Sequence, residues 1–150
     1  MSSFFHEPDY HALLRRVDTL SPDSQRRWGR MTVQGMVCHL NDAFLLMLGD
    51  RATRAKGNLF LRTVVRFVAF STPIPWPKGA KTAPEADQEQ TGTPPGDFDR
   101  DVSTLRSLME RFDKEGRGGL YHPIFGNLTP GEVGRWGYRH LDHHLRQFGV

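Results

Sequence analysis

The sequence predicts an all-α protein, a four-helix bundle in which a long crossover joins the second and third main helices. Three observations support this fold class. Four segments place apolar residues at helical spacing, helix-start signals such as Thr32 and Thr129 precede them, and no segment alternates as a strand over a useful length. The chain has 150 residues, a common size for one domain, so we expect a single domain over residues 1–150.

The first two main helices are predicted from their apolar faces and caps. The first runs from about Pro8 to Leu20. Thr32 then caps a second helix that ends near Leu48, and His39 lies at the edge of its inward face. The apolar positions are Tyr10, Leu13, Leu14 and Val17 in the first helix, and Met36, Val37, Leu40, Ala43, Phe44 and Met47 in the second.

The long connection that follows has two parts. Asn58 is positioned to cap an apolar helix from Leu59 to Phe70, although the β-branched residues there also suit a strand. We expect this helix to be buried in the core, with a homodimer surface as the alternative. The segment Ser71–Gly96 holds six prolines, which exclude a continuous helix. We expect it to form a surface crossover that Trp76 pins to the body of the protein.

Two further helices complete the predicted bundle. Asp97 is positioned to cap a third main helix to about Lys114, and a run of glycines then ends it. Thr129 and Glu132 have the spacing of a capping box, with proline at the first helical position. The fourth main helix runs from there to about Gln147.

Three of the seven histidines lie near the end of the fourth helix. His140 and His144 are four residues apart, so both face the bundle interior, whereas His143 tends toward solvent. His39 would complete a three-nitrogen site with positions left for water or substrate, which is the arrangement of a catalytic metal centre. Imidazole suits zinc, nickel and iron, so we expect a divalent metal ion of one of these kinds. The alternative is that the histidines are hydrogen-bonded core groups.

Other residues are candidates for supporting roles around this site. Ligand histidines need an acceptor for their second ring nitrogen, and Asp42 and Asp142 are the candidates, the alternative for Asp142 being that it faces solvent. His122 is predicted to line the mouth of the site as a catalytic acid/base group, the alternative being that His122-Pro123 only shapes a turn. Cys38 is expected to pack rather than to bind metal, because residues adjacent on a helix do not share a face.

Two stretches of the chain resemble the DinB/YfiT-like metalloenzyme superfamily, and within it a bacterial family of unknown function: RRWGRMTVQGMVCHLND (26–42) and YHPIFGNLTPGEVGRWGYRHLDHHLRQFG (121–149). The resemblance implies an up-down-down-up four-helix bundle. It also implies a metal held by one histidine of the second helix and a His-x3-His pair of the fourth, which correspond to His39, His140 and His144. Some members of that superfamily are transferases or isomerases that use low-molecular-weight thiols, and members often dimerise.

Composition limits the remaining function classes. A net charge of +3 admits anionic partners, but basic and acidic residues are interspersed and no recognition motif is present, so we expect no nucleic-acid partner. No apolar run approaches the ~20 residues of a membrane span, and we expect no membrane partner. The N-terminus lacks a signal-peptide pattern and the single Cys38 cannot form an internal disulfide, so we expect a cytoplasmic protein.

These observations lead to two hypotheses of different classes. The first is a metal-dependent enzyme acting on a small-molecule substrate, either as a transferase using a low-molecular-weight thiol or as a hydrolase. The second is a non-catalytic helical binding or interaction protein without a functional metal.

Overall fold

A computed structural model describes all 150 residues and is mostly helical, with one small hairpin. The helices are α1 (Glu7–Asp18), α2 (Val33–Leu48), α3 (Arg66–Ser71), α4 (Phe98–Glu115) and α5 (Pro130–Gln147). The antiparallel strands β1 (Leu120–His122) and β2 (Gly126–Leu128) were not predicted, because three residues are too few to show an alternating pattern. None of the helices is long and apolar enough to cross a membrane.

The predicted caps begin the long helices. The Thr32 hydroxyl accepts a hydrogen bond from the Gly35 N–H at 3.0 Å at the start of α2. At the start of α4 the Asp97 carboxylate accepts a hydrogen bond from the Arg100 N–H at 2.9 Å. At α5 the Thr129 side chain and Glu132 form the full capping box. Each cap satisfies a backbone donor that the helix itself leaves without a partner.

The core is an aromatic and aliphatic cluster between the long helices, with α2 against α4 and α1 against α5. The N-terminal segment enters this core, since Phe4 is fully buried and its N–H donates to the Gly134 carbonyl at 2.8 Å. A Cβ added at Gly137 would lie 2.7 Å from Phe112 and 3.1 Å from Phe4. Glycine in α5 therefore admits the close approach of these two phenyl rings.

The helical stretch predicted for 59–70 is present, and Asn58 accepts from the Leu61 N–H at 2.9 Å. A π-helical segment, Leu61–Val65, leads into α3. Our expectation of core burial is wrong for most of this stretch. Only Ala69 and Phe70 are buried, whereas five large apolar side chains are exposed: Leu59, Phe60, Val64, Phe67 and Val68.

The proline-rich crossover is anchored to the body of the protein at two places. Trp76 is partly buried and donates from Nε1 to the Ala69 carbonyl at 3.4 Å. Farther along, the fully buried carboxylate of Asp42 on α2 accepts from Gln88 Nε2 at 3.0 Å and from the Thr93 N–H at 2.7 Å. The intervening 3-10 turn, 84–86, is thereby held against α2 at the level of His39.

Candidate metal centre

Three histidine side chains from two helices meet inside the protein. His39 comes from α2, and His140 and His144 come from successive turns of α5. One ring nitrogen from each lies within 4.8 Å of the others, and the Nε2 atoms of His39 and His140 are 3.1 Å apart. His39 and His144 are buried, whereas His140 keeps some exposure. Helical spacing identified the pair His140 and His144, and the structure brings His39, the expected third residue, beside them.

The outer nitrogens of two of these rings are held by oxygen acceptors. His39 Nδ1 donates to the Ala86 carbonyl at 2.7 Å, and His144 Nδ1 donates to Gln147 Oε1 at 2.9 Å. The Gln147 amide is oriented by its own donation from Nε2 to the Trp28 carbonyl. Because a carbonyl oxygen only accepts, Nδ1 carries the proton in both rings, and each neutral imidazole presents a bare Nε2 lone pair.

The predicted acceptors, Asp42 and Asp142, do not fill this role. Asp42 is occupied by the crossover, and Asp142 pairs with Arg16 at 2.8 Å. The acceptor Ala86 lies in a proline-rich segment without a periodic pattern, so nothing in the sequence indicated it. Gln147 could have been found, since a residue three positions after His144 lies on the same side of the helix.

The third ring, His140, is positioned by packing. Its centroid is 4.9 Å from that of Trp136 and 5.9 Å from that of Trp76. Its Nε2 lies 3.1 Å from the bare lone pair of His39 Nε2, so in a hydrogen bond between the two atoms His140 is the donor. The same two atoms are therefore available either to a shared proton or to a shared cation.

Burial keeps the cluster neutral at physiological pH. Desolvation lowers the pKa of His39. Desolvation, followed by repulsion from neighbouring histidines, holds the pKa of His140 and of His144 well below the ordinary value. Metal ions bind neutral imidazole, so no proton has to leave the two Nε2 atoms of His39 and His144 before coordination.

The spacing of the cluster suits a small divalent cation. Metal–nitrogen bonds of about 2.0–2.1 Å at tetrahedral angles place neighbouring ligand nitrogens about 3.3 Å apart. The His39–His140 separation of 3.1 Å is already close to that value. The wider separations, all within 4.8 Å, would have to shorten by up to about 1.5 Å on binding. The residues therefore fit a three-imidazole centre with further positions left open.

His122 lies outside the cluster, and its environment favours the turn-shaping alternative. Its Nδ1 accepts from the N–H groups of Ile124 and Phe125, at 3.1 and 3.3 Å, in the turn between β1 and β2. Burial lowers its pKa to about 4. Its ring centroid is 6.0 Å from that of Trp136, whose own centroid is 4.9 Å from that of His140. An acid/base role for its free Nε2 stays a prediction.

Two neighbouring residues of the cluster take other roles. Cys38 is buried and donates from Sγ to Asp101 at 3.5 Å, and burial, followed by the charge of Asp101, raises the pKa of its thiol to about 12. It is therefore a packed thiol rather than a ligand. His143 is half-buried against Trp28, with ring centroids 5.9 Å apart, and is not one of the three clustered histidines.

Comparison with known families places residues 5–149 in a protein family of unknown function, DUF1569, and the chain belongs to that family. The match extends over nearly the whole sequence and carries no reaction, ligand or cofactor. It supplies no link to the DinB/YfiT superfamily. No curated protein and no solved structure is significantly similar to the chain.

Proposed function

We propose that this DUF1569 protein binds one divalent metal ion through His39, His140 and His144 and uses it to act on a small molecule. The observation that carries the proposal is the convergence of three neutral imidazoles. Two of them are already oriented, because His39 Nδ1 donates to Ala86 and His144 Nδ1 donates to Gln147. Buried polar groups are costly unless they are matched, and three on one spot are typical of a metal centre.

Three protein ligands leave coordination positions free, as in catalytic zinc sites. The ion would supply Lewis acidity and lower the pKa of water or of a thiol that binds to it. The chain offers no thiol of its own, because Cys38 is protonated and lies against α4. A transferase reaction would therefore take its thiol from a low-molecular-weight cosubstrate, and a hydrolase reaction would use water.

We also propose that the chain forms the up-down-down-up bundle of the DinB/YfiT superfamily. That resemblance implies the same three histidines that the structure brings together, and this agreement supports the proposal. We propose that the chain is a single domain, which agrees with a family match over residues 5–149. We also propose a cytoplasmic location, and the free, buried Cys38 is compatible with that reducing compartment.

A non-catalytic binding protein is the second candidate. The observation that favours it is the hydrogen bond between His39 and His140, which satisfies two buried ring nitrogens without any metal. In that case the cluster would contribute only to stability.

Metal titration of tag-free protein separates the two candidates. We expect one zinc, nickel or ferrous ion per chain in the wild type. His140→Ala and His144→Ala should each weaken binding by more than the roughly 10–100-fold that loss of an outer-shell partner costs. His143→Ala is the matched control, since it removes an adjacent histidine outside the cluster and should bind as the wild type does. Failure of the wild type to bind any of the three ions, or equal binding by His140→Ala, would support the second candidate.

A further inference from the structure

A groove of about 490 Å³ lies beside the histidine cluster and has no part in metal binding. Two residues that line the groove, Trp76 and His143, also contact the cluster. The Trp76 ring centroid is 5.9 Å from that of His140, and the His143 centroid is 5.1 Å from that of His144. The groove is formed where the N-terminus, the start of the crossover and the outer face of α5 meet.

The groove is strongly cationic. Five basic side chains line it, against one carboxylate, Asp142: Arg27, Lys78, Arg135, Arg139 and Arg146. That carboxylate is already paired with Arg16 and Arg146. Repulsion between like charges in one concave site is relieved when an anion binds among them, so the groove favours a negatively charged ligand.

Two of the arginines are held in place by the backbone. Arg135 donates to the Phe70 carbonyl, and Arg139 donates to the carbonyls of Ala69, Thr72 and Ile74. Neither makes an ion pair with a carboxylate. They lie four residues apart on α5, so both guanidinium groups project from the same face. Arg135 uses one of its five N–H donors in this way, which leaves a fork free for an oxyanion.

Aromatic side chains complete the lining. Trp28, Trp76 and Tyr138 border the groove. Lys78 lies 4.3 Å above the Trp28 ring, and Arg139 lies 6.0 Å from the Trp76 ring. Indole faces bind planar rings by stacking, and the neighbouring cations would hold an acidic substituent of that ring.

We infer that the groove binds a small organic anion with a planar ring, such as an aromatic phosphate or carboxylate, with its acidic group at Arg135 and Arg139. Binding of this anion stands on the groove alone. Its assignment as the substrate of the metal centre, one wall away, rests on the proposed function.

Ligand-observed NMR with phenyl phosphate tests the inference. Inorganic phosphate tests the anion without the ring, and benzyl alcohol tests a ring without the charge. We expect phenyl phosphate to bind at least tenfold more tightly than either. Arg135→Gln should weaken phenyl phosphate about tenfold or more, because one charged fork is lost. Trp28→Leu should reduce the preference for phenyl phosphate over inorganic phosphate.

Arg15→Gln is the control, since Arg15 is exposed on α1 and lies outside the groove. His140→Ala separates this inference from the proposed function, because it should lose the metal and still bind phenyl phosphate. Unchanged affinity in a folded Arg135→Gln variant, or equal binding of phenyl phosphate and inorganic phosphate, would overturn the ligand assignment.

Discussion

At the scale of single residues, His122 shows how burial turns an ionisable group into a structural one. Its pKa of about 4 keeps the ring neutral at pH 7, and Nδ1 can then accept the two backbone hydrogen bonds of its turn. In the unfolded chain the pKa returns to about 6.5. Between pH 4 and pH 6.5 the unfolded state therefore binds more protons than the folded state. The contribution of His122 to the free energy of unfolding is fully present above about pH 6.5 and is lost as the pH falls toward 4.

Replacement of His122 by asparagine should remove this part of the pH dependence. An amide oxygen can accept the same turn hydrogen bonds but does not titrate. Between pH 7 and pH 4.5 we expect the free energy of unfolding of the wild type to fall by about 2 kcal/mol more than that of His122→Asn, measured by denaturant unfolding. His11→Asn, at an exposed position on α1, should behave as the wild type. Identical pH profiles for wild type and His122→Asn would refute the assigned role.

For single residues, the sequence predicted the position of the clustered histidines but not the acceptors of their outer nitrogens. Helical spacing placed His140 and His144 on one inward face, and the structure brings them to His39. The candidate acceptors Asp42 and Asp142 are not the partners of the outer nitrogens of His39 and His144, which donate to Ala86 and Gln147. Spacing along a helix determines which side chains share a face, but it carries no information about a carbonyl that arrives from an irregular segment.

At the scale of elements, the attachment of the crossover to α2 depends on Asp42. Its buried carboxylate holds Arg51, Gln88 and Thr93, and the same segment presents the Ala86 carbonyl to His39. Asp42→Ala would leave these donors without a partner and release the segment. We expect a loss of about 3 kcal/mol in unfolding free energy and faster proteolysis within 85–93.

Asp18→Ala is the matched comparison for Asp42→Ala. Asp18 pairs with Arg106, but both side chains are about half exposed. An exposed ion pair contributes at most about 1 kcal/mol, so this variant should keep nearly wild-type stability and protease resistance. Equal effects of the two substitutions would show that the crossover is not held by the buried carboxylate.

Replacement of two glycines of α5 by alanine should change the stability of the protein in opposite directions. A Cβ at Gly137 would collide with Phe112, so Gly137→Ala should destabilise the protein by about 1–3 kcal/mol despite the higher helix propensity of alanine. Apart from its chain neighbours and the backbone of its own helix, no atom lies within 4 Å of a Cβ at Gly131, so Gly131→Ala should stabilise the protein by up to about 1 kcal/mol. Thermal unfolding of both variants checks the pair, and a stabilising Gly137→Ala would contradict the packing described.

At the scale of the whole molecule, the exposed face of the helical stretch 59–71 is the feature that a single chain does not explain. Phe60 and Phe67 are each more than 60% exposed, and Arg66 beside them is neutralised by Glu132 at 2.7 Å. Large exposed apolar patches mark interaction sites. A homodimer surface, the alternative expected for this stretch from the sequence, stays a prediction.

Sedimentation equilibrium tests the homodimer. The wild type should sediment as a dimer at micromolar concentrations, and Phe60→Glu with Phe67→Glu should sediment as a folded monomer, because the like charges would face each other across the interface. Arg15→Glu alters an exposed position on another helix and should leave the dimer intact. A monomeric wild type would contradict the prediction.

The fold was predictable where local signals were strong. Thr32, Asp97 and Thr129 begin helices because their side chains satisfy backbone donors in their own turn, which needs no knowledge of the rest of the chain. Exposure of the 59–71 stretch was not predictable. Its apolar residues look the same in sequence whether the protein or a partner covers them.

Zinc K-edge X-ray absorption on tag-free, zinc-loaded protein tests the central claim most directly, because it counts and identifies the atoms bound to the ion. We expect a shell of nitrogen or oxygen at about 2.0–2.1 Å with outer scattering from three imidazoles. His140→Ala should retain no zinc once unbound ion is removed, and His143→Ala should give the wild-type spectrum. A sulfur shell at about 2.3 Å, or a spectrum that His140→Ala leaves unchanged, would contradict a metal centre formed by His39, His140 and His144.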